Sequence, residues 1–248
     1  MPTFSKTFSV RCSEIDRNYL LQRESIPFFF EECFAQYCAS ISMAGYDMTP
    51  KGLTWIISDI AIAYVAKMPF WKSEIKVDIF TSAITPLYLK FDYALSCGGK
   101  IFAKGAFRAI IAELAAHKPK RATDFAENFS LSDPSEFSET AIEKIAPFGE
   151  KLGETVQRVR LADLDFNQHL NNARYLPRIL ESVPEGVREN FETQNFSIRF
   201  QNEAKLRDEI LSETFGDEFG KKFFHKLTRV SDGKTLCVAA SAFAPAAK

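Results

Sequence analysis

The chain has 248 residues, 46% of them hydrophobic and 25% charged, with a formal net charge of −1. That balance excludes a chain-wide attraction to nucleic acid, so an acidic partner has to be met by a local basic patch. No run approaches the ~18 apolar residues of a membrane-spanning helix, and the opening MPTFSKTFSVRC lacks an apolar core of signal-peptide length. A cytoplasmic protein with no membrane partner is the expectation.

In chain order, a short strand over residues 4–12 leads to a helix over 25–44, whose apolar side is Phe28, Phe29, Cys33, Tyr37 and Ile41. Ser25 is placed to cap it, and Pro27 is tolerated in a first turn. β-rich runs follow over 54–66, 74–83, 87–96 and 101–114. In the third, Leu87, Leu89, Phe91, Tyr93 and Leu95 share one face while Lys90 and Asp92 share the other. Gly98-Gly99-Lys100 marks a hairpin, because glycine tolerates the positive φ of a tight turn. Residues 117–150 are polar and rich in Pro, Ser and acidic side chains, the composition of a surface linker with room for a short helix.

The pattern then restarts. A strand over 154–161 precedes a helix over 172–183, with Asn172 as its cap, Pro177 rather late for a first turn and Pro184 closing it. Strands follow over 195–202, 208–215, 221–230 and 236–244, with Asp232-Gly233-Lys234 as the second hairpin signal. The expected architecture is α+β: one long helix wrapped by an antiparallel sheet, made twice, over 1–116 and 151–248.

The halves are related in sequence. VRCSEIDRNYL at 10–20 aligns without a gap on VRLADLDFNQH at 159–169, an offset of 149 residues that also places Glu32 on Glu181. The two hairpins are 134 residues apart, so the second half is 15 residues shorter between its opening motif and its hairpin.

The five cysteines, Cys12, Cys33, Cys38, Cys97 and Cys237, include no pair with metal-ligand spacing. Reduced thiols are expected, and neither a metal nor a cofactor is implied. The 24 phenylalanines are enough to fill a large core or to line an apolar channel, core packing being the default. Of the three histidines, His117 opens the linker and His225 lies mid-strand beside Phe223 and Phe224, which suits structural or surface roles. His169 is different. It stands in Asp165-Phe166-Asn167-Gln168-His169-Leu170-Asn171-Asn172, between a strand and a helix start. Turn chemistry accounts for Asn171 and Asn172 but does not ask for an imidazole. Its partner in the first half is Leu20, although Asp16 and Asn18 persist there, which points to one active site per chain.

The run from Asp163 to Tyr175, with Ile179-Leu180-Glu181-Ser182 after it, closely resembles the signature of the acyl-acyl-carrier-protein thioesterases, the plastid and bacterial family that releases fatty acids from fatty-acid synthesis. The resemblance implies two tandem hotdog domains, no cofactor, and acyl carrier protein bearing a fatty acyl chain as partner. It implies catalytic roles for Asp165, Asn167 and His169, and for an acidic residue downstream that falls on Glu203. Ala204 stands where many relatives have cysteine, so a thiol-nucleophile scheme has no thiol here.

Under this resemblance Glu203 is the general base, alone or with His169, and Asp165 orients the imidazole or holds the loop. Asn167 holds the water or the carbonyl, and backbone N–H groups at the helix start face the oxyanion. The first half takes the acyl chain, with Phe28, Phe29, Phe30, Tyr37, Ile56, Ile60 and Ile62 as candidate lining. Lys118, Lys120 and Arg121 form one basic cluster and Lys221-Lys222 another. An acyl-CoA thioesterase and a non-catalytic acyl-binding protein are the alternatives, and a homodimer stays open.

Overall fold

The computed structural model describes residues 3–116, 118–133, 142, 144–217 and 221–245. His117 lies outside them. The chain divides into two compact units, Met1–Ile142 and Glu143–Lys248.

The N-terminal unit runs β1 (Phe4–Ser9), α1 (Ile26–Ser40), α2 (Gly45–Met48), β2 (Leu53–Tyr64), β3 (Glu74–Ile84), β4 (Leu89–Cys97) and β5 (Lys100–Glu113). Its strands order as β1-β3-β4-β5-β2, and the pairings are antiparallel. The alternation in β4 holds for Leu89, Phe91, Tyr93 and Leu95, which are wholly buried, whereas Leu87 lies outside the strand and is exposed. Aromatic rings join α1 to the sheet: Phe30 stacks on Tyr93 at 4.4 Å, and Phe34 meets Phe91 at 4.9 Å and Phe107 at 5.0 Å. Of the candidate lining residues, Phe29, Phe30, Tyr37, Ile60 and Ile62 are core, while Phe28 and Ile56 are partly exposed.

Gly105 is required where it stands. A Cβ there would meet the Ala61 carbonyl at 2.1 Å and the Tyr93 hydroxyl at 2.2 Å, and that hydroxyl donates to Ala61 O at 3.0 Å. α1 stops short of the expected residue 44. Ser42 takes φ 55°, its N–H reaches Ala39 O, and Met43 N–H reaches Cys38 O, the paired bonds of a Schellman motif. Residues of the expected linker lie on this unit: Pro119 bridges Ala112, a 3-10 helix spans Ala122–Asn128, and Phe129 packs on Trp55 and Phe91.

The C-terminal unit runs β6 (Glu150–Arg158), α3 (Tyr175–Leu180), α4 (Glu185–Asn190), β7 (Phe191–Phe200), β8 (Glu209–Gly216), β9 (Lys222–Arg229) and β10 (Thr235–Pro245). Its sheet order, β6-β8-β9-β10-β7, reproduces the first unit strand for strand. The helix is much shorter than expected. Asn172–Arg174 form a 3-10 turn, so α3 begins at Tyr175 and Pro177 falls within its first turn, where a missing N–H costs nothing. Bonds of i→i−3 type at Ser182 and Val183 then tighten the chain toward Pro184, and α4, which was not foreseen, follows.

A buried polar chain runs beneath α3. Ser182 Oγ donates to Ile179 O at 2.8 Å and lies 3.1 Å from Ser212 Oγ and 2.8 Å from Thr214 Oγ1. Thr214 Oγ1 is 2.9 Å from His225 Nδ1, and His225 Nε2 is 2.8 Å from Ser241 Oγ. His225 is wholly buried, and burial lowers its pKa to about 3, so the ring is neutral. Among the described residues, no helix is long and apolar enough to cross a membrane.

Candidate active site

The polar run of the C-terminal unit folds as one closed turn. At its base, Asn171 N–H donates to Asp163 O at 3.0 Å, and Leu164 bridges Leu170 in antiparallel sense. At its tip, Asp165 N–H donates to His169 O at 2.8 Å, and Gln168, with φ 62°, donates to Asp165 O at 3.1 Å. Oδ1 of Asp165 accepts the N–H groups of Asn167 at 2.8 Å and His169 at 3.1 Å. A short carboxylate bonded to nearby backbone in this way fixes the local path of the chain.

A second loop, after β7, lies against this turn. His169 bridges Lys205, and Leu170 N–H donates to Ala204 O at 2.8 Å. These links set His169 Nε2 3.4 Å from Glu203 Oε1, with both side chains partly exposed. Lys205 Nζ stands 3.2 Å from the same oxygen. The loop is braced from behind: the Arg229 guanidinium donates to Glu203 O and, at 3.0 Å, to Asp208 Oδ2, which also accepts Lys205 N–H at 2.9 Å. Ala204 is fully buried between the two loops.

Four sequence-predicted residues thus lie in two adjoining loops. His169 and Glu203 meet through side chains, Asp165 bonds the backbone of the turn, and half-buried Asn167 lies within it. The helix start is less available than its sequence implied. Ala173 N–H donates to Asn171 Oδ1 at 2.8 Å and Arg174 N–H to Asn171 O at 2.9 Å, so both donors are engaged, and the cap is Asn171 rather than Asn172. Of the basic neighbours that the sequence offers Glu203 as partners in a purely structural ion pair, Arg199, Lys205 and Arg207, Lys205 stands beside it here. Burial pushes the Cys33 thiol up to about 12 and raises those of Cys38 and Cys237, which removes them as thiolate nucleophiles. Among the described residues, no cluster of His, Cys, Asp and Glu is suited to a metal.

The N-terminal unit builds the same turn without the imidazole. Asp16 Oδ1 accepts from Asn18 N–H at 2.8 Å and Leu20 N–H at 2.9 Å, and Tyr19 takes the left-handed φ of 61°. Leu20 bridges Phe70, and Leu21 N–H donates to Pro69 O at 2.8 Å, as Leu170 does to Ala204. The counterpart of Glu203 is therefore Met68, which is buried. Where one copy has imidazole and carboxylate, the other has Leu20 and Met68.

Fold and turn define a tandem hotdog chain in which an imidazole and a carboxylate, His169 and Glu203, meet in the second half. Two models of one family match it: the acyl-ACP thioesterase N-terminal domain over residues 2–114 and the C-terminal domain over residues 150–245. The chain belongs to the acyl-ACP thioesterase family. It is similar to a chloroplastic palmitoyl-acyl carrier protein thioesterase of Gossypium hirsutum, 24% identical over 94% of this chain and 56% of that one. A chloroplastic acyl-acyl-carrier-protein hydrolase of Cuphea viscosissima is 25% identical over 93% of this chain and 60% of its own. The chain thus spans under two thirds of the length of these curated relatives. Two solved structures share the fold: an acyl-ACP thioesterase from Bacteroides thetaiotaomicron, at TM-score 0.79, 18% identity and 97% of each chain, and the 12:0-ACP thioesterase from Umbellularia californica, at TM-score 0.80, 17% identity, 98% of this chain and 97% of that one.

Proposed function

We propose that the protein hydrolyses fatty acyl thioesters of acyl carrier protein to free fatty acid and carrier thiol. The observation that carries this reading is the 3.4 Å approach of His169 Nε2, in the turn that the family resemblance singles out, to Glu203 Oε1 on the adjoining loop. In this reading, Glu203 takes a proton from water as the water oxygen bonds to the thioester carbonyl carbon. The tetrahedral intermediate collapses with cleavage of the C–S bond, and the proton returns through His169 to the departing sulfur. Asp165 holds the imidazole through the backbone of its turn, and Asn167 orients the water or the carbonyl. Buried Ala204, in place of a thiol, favours water as the nucleophile.

The division of labour belongs to the same proposal: the N-terminal unit receives the acyl chain and the C-terminal unit holds the chemistry. So does a cytoplasmic site of action. Exposed Lys118, Arg121, Lys221 and Lys222 are the local positive charges suited to an acidic carrier, while Lys120 is already paired with Glu113. The test is thiol release by the purified protein from acyl carrier protein loaded with chains of graded length, beside the matching acyl-CoA series. Faster turnover of the carrier-bound series supports the proposal. Preference for the CoA series overturns the carrier assignment, and no thiol release from either overturns the enzymatic reading.

A further inference from the structure

A buried ion pair ties the turn that carries His169 to α3. Arg178 Nη2 lies 2.6 Å from Asp163 Oδ2, with side chains 7% and 1% exposed. The Asp163 carboxylate also accepts the Arg160 backbone N–H at 2.9 Å and its guanidinium at 3.2 Å. Burial works against the charged carboxylate, but the bonds from Arg160 and the charge of Arg178 outweigh it and hold its pKa down at about 2. On its other side, Arg178 Nη1 donates to Arg174 O at 3.2 Å, and Gln157 Nε2 donates to Arg178 O at 3.1 Å.

The N-terminal unit does without this clamp. The offset of 149 residues places its 3-10 turns Cys12–Glu14 and Arg23–Ser25 on Leu161–Asp163 and Asn172–Arg174. At that offset Gln157 and Arg178 correspond to Phe8 and Phe29, whose rings meet edge to face at 5.8 Å. The Arg11–Glu14 contact persists there, so the Arg160–Asp163 contact belongs to the turn itself. Arg178 is peculiar to the copy with the imidazole. A buried ion pair is no stabilising improvement on an apolar contact of similar volume. Its presence where the sister copy uses phenylalanine therefore calls for another purpose. Asp163 supplies one: its carbonyl closes the turn on Asn171, and the turn presents His169 to Glu203.

We propose that Arg178, acting through Asp163, is a positioning residue that sets the His169 imidazole against Glu203. This rests on reading His169 and Glu203 as the reactive pair. The test compares Arg178→Met, Arg178→Lys and the double variant Asp163→Asn/Arg178→Met. It reads kcat and KM on acyl carrier protein substrates, thermal stability, and the imidazole nitrogen resonances of His169. The proposal expects Arg178→Met to lower kcat by about ten- to a hundredfold, with KM within about twofold, and to shift the His169 resonances. It expects Arg178→Lys to recover part of kcat, and the double variant to regain stability without regaining kcat. Wild-type kcat together with unmoved His169 resonances in the folded double variant would overturn it. If the wild-type protein cleaves no thioester, the functional reading fails separately. The His169 resonances then decide this proposal alone: a shift in the double variant supports the clamp, and no shift rejects it.

Discussion

Glu203 approaches His169 through Oε1 and Nε2 at 3.4 Å, and each residue comes from a loop anchored by backbone bonds to the other. Two groups that act on one proton are expected to fail together. Glu203→Gln and His169→Ala should each lower kcat by about 10²- to 10⁴-fold, and the double variant should be little worse than the poorer single one. Thiol release from acyl carrier protein substrates measures this, and full activity in Glu203→Gln removes the carboxylate from the mechanism.

Asp16 and Asp165 make the same two backbone bonds in sister turns, but only one turn bears an imidazole. Replacing either with alanine should cost about 1–3 kcal/mol of stability, read from denaturant unfolding. Only Asp165→Ala should also lower kcat. Equal loss of activity in both variants would show that Asp165 acts through general stability and not through His169.

Ala204 has no exposed surface, and its carbonyl accepts Leu170 N–H. Ala204→Cys adds a sulfur to a closed space at a cost of about 1–3 kcal/mol. The new thiol should resist alkylation in the folded protein, and kcat should not rise. Rapid alkylation coupled to loss of activity would mean that this position reaches the reacting atoms.

His225 makes the fold acid-sensitive. Above its ordinary pKa of 6.5 the ring is neutral in both folded and unfolded chains. Between 6.5 and about 3 the unfolded chain binds a proton that the folded chain refuses. Stability is therefore fully present above 6.5 and is lost as pH falls through that window, at up to about 1.4 kcal/mol per pH unit. His225→Gln, which keeps a polar side chain without the titration, should lose this component when unfolding free energy is measured from pH 7 to 4. An unchanged slope would assign the sensitivity to other groups.

Much of this was legible from sequence because it is repeated. The offset of 149 residues carried through both 3-10 turns and both helix starts, and β4 and β5 fell within two residues of their expected bounds. The second helix was not legible. Residues 172–183 place apolar side chains at Ala173, Tyr175, Leu176, Ile179, Leu180 and Val183, but Asn171 caps a 3-10 turn first, which delays α3, and i→i−3 bonds then end it at Leu180. His169 stood out because the turn has no structural use for an imidazole. Arg178 did not, since an arginine in a helical run reads as a solvated side chain until its burial against Asp163 is known. Met68 as the counterpart of Glu203 was equally hidden, because the halves differ in length between the opening turn and that loop.

The six residues of α3 are too few to hold a helix in water by themselves. Their order is borrowed from the Arg178 clamp at one end and the Ser182 hydroxyl cluster at the other. α1, at 15 residues and packed on an aromatic layer, has no such dependence. Amide exchange should therefore find α3 opening locally while the strands of both units stay protected. On warming, the imidazole would lose its aim before the chain loses its fold, so catalysis would fade below the melting temperature.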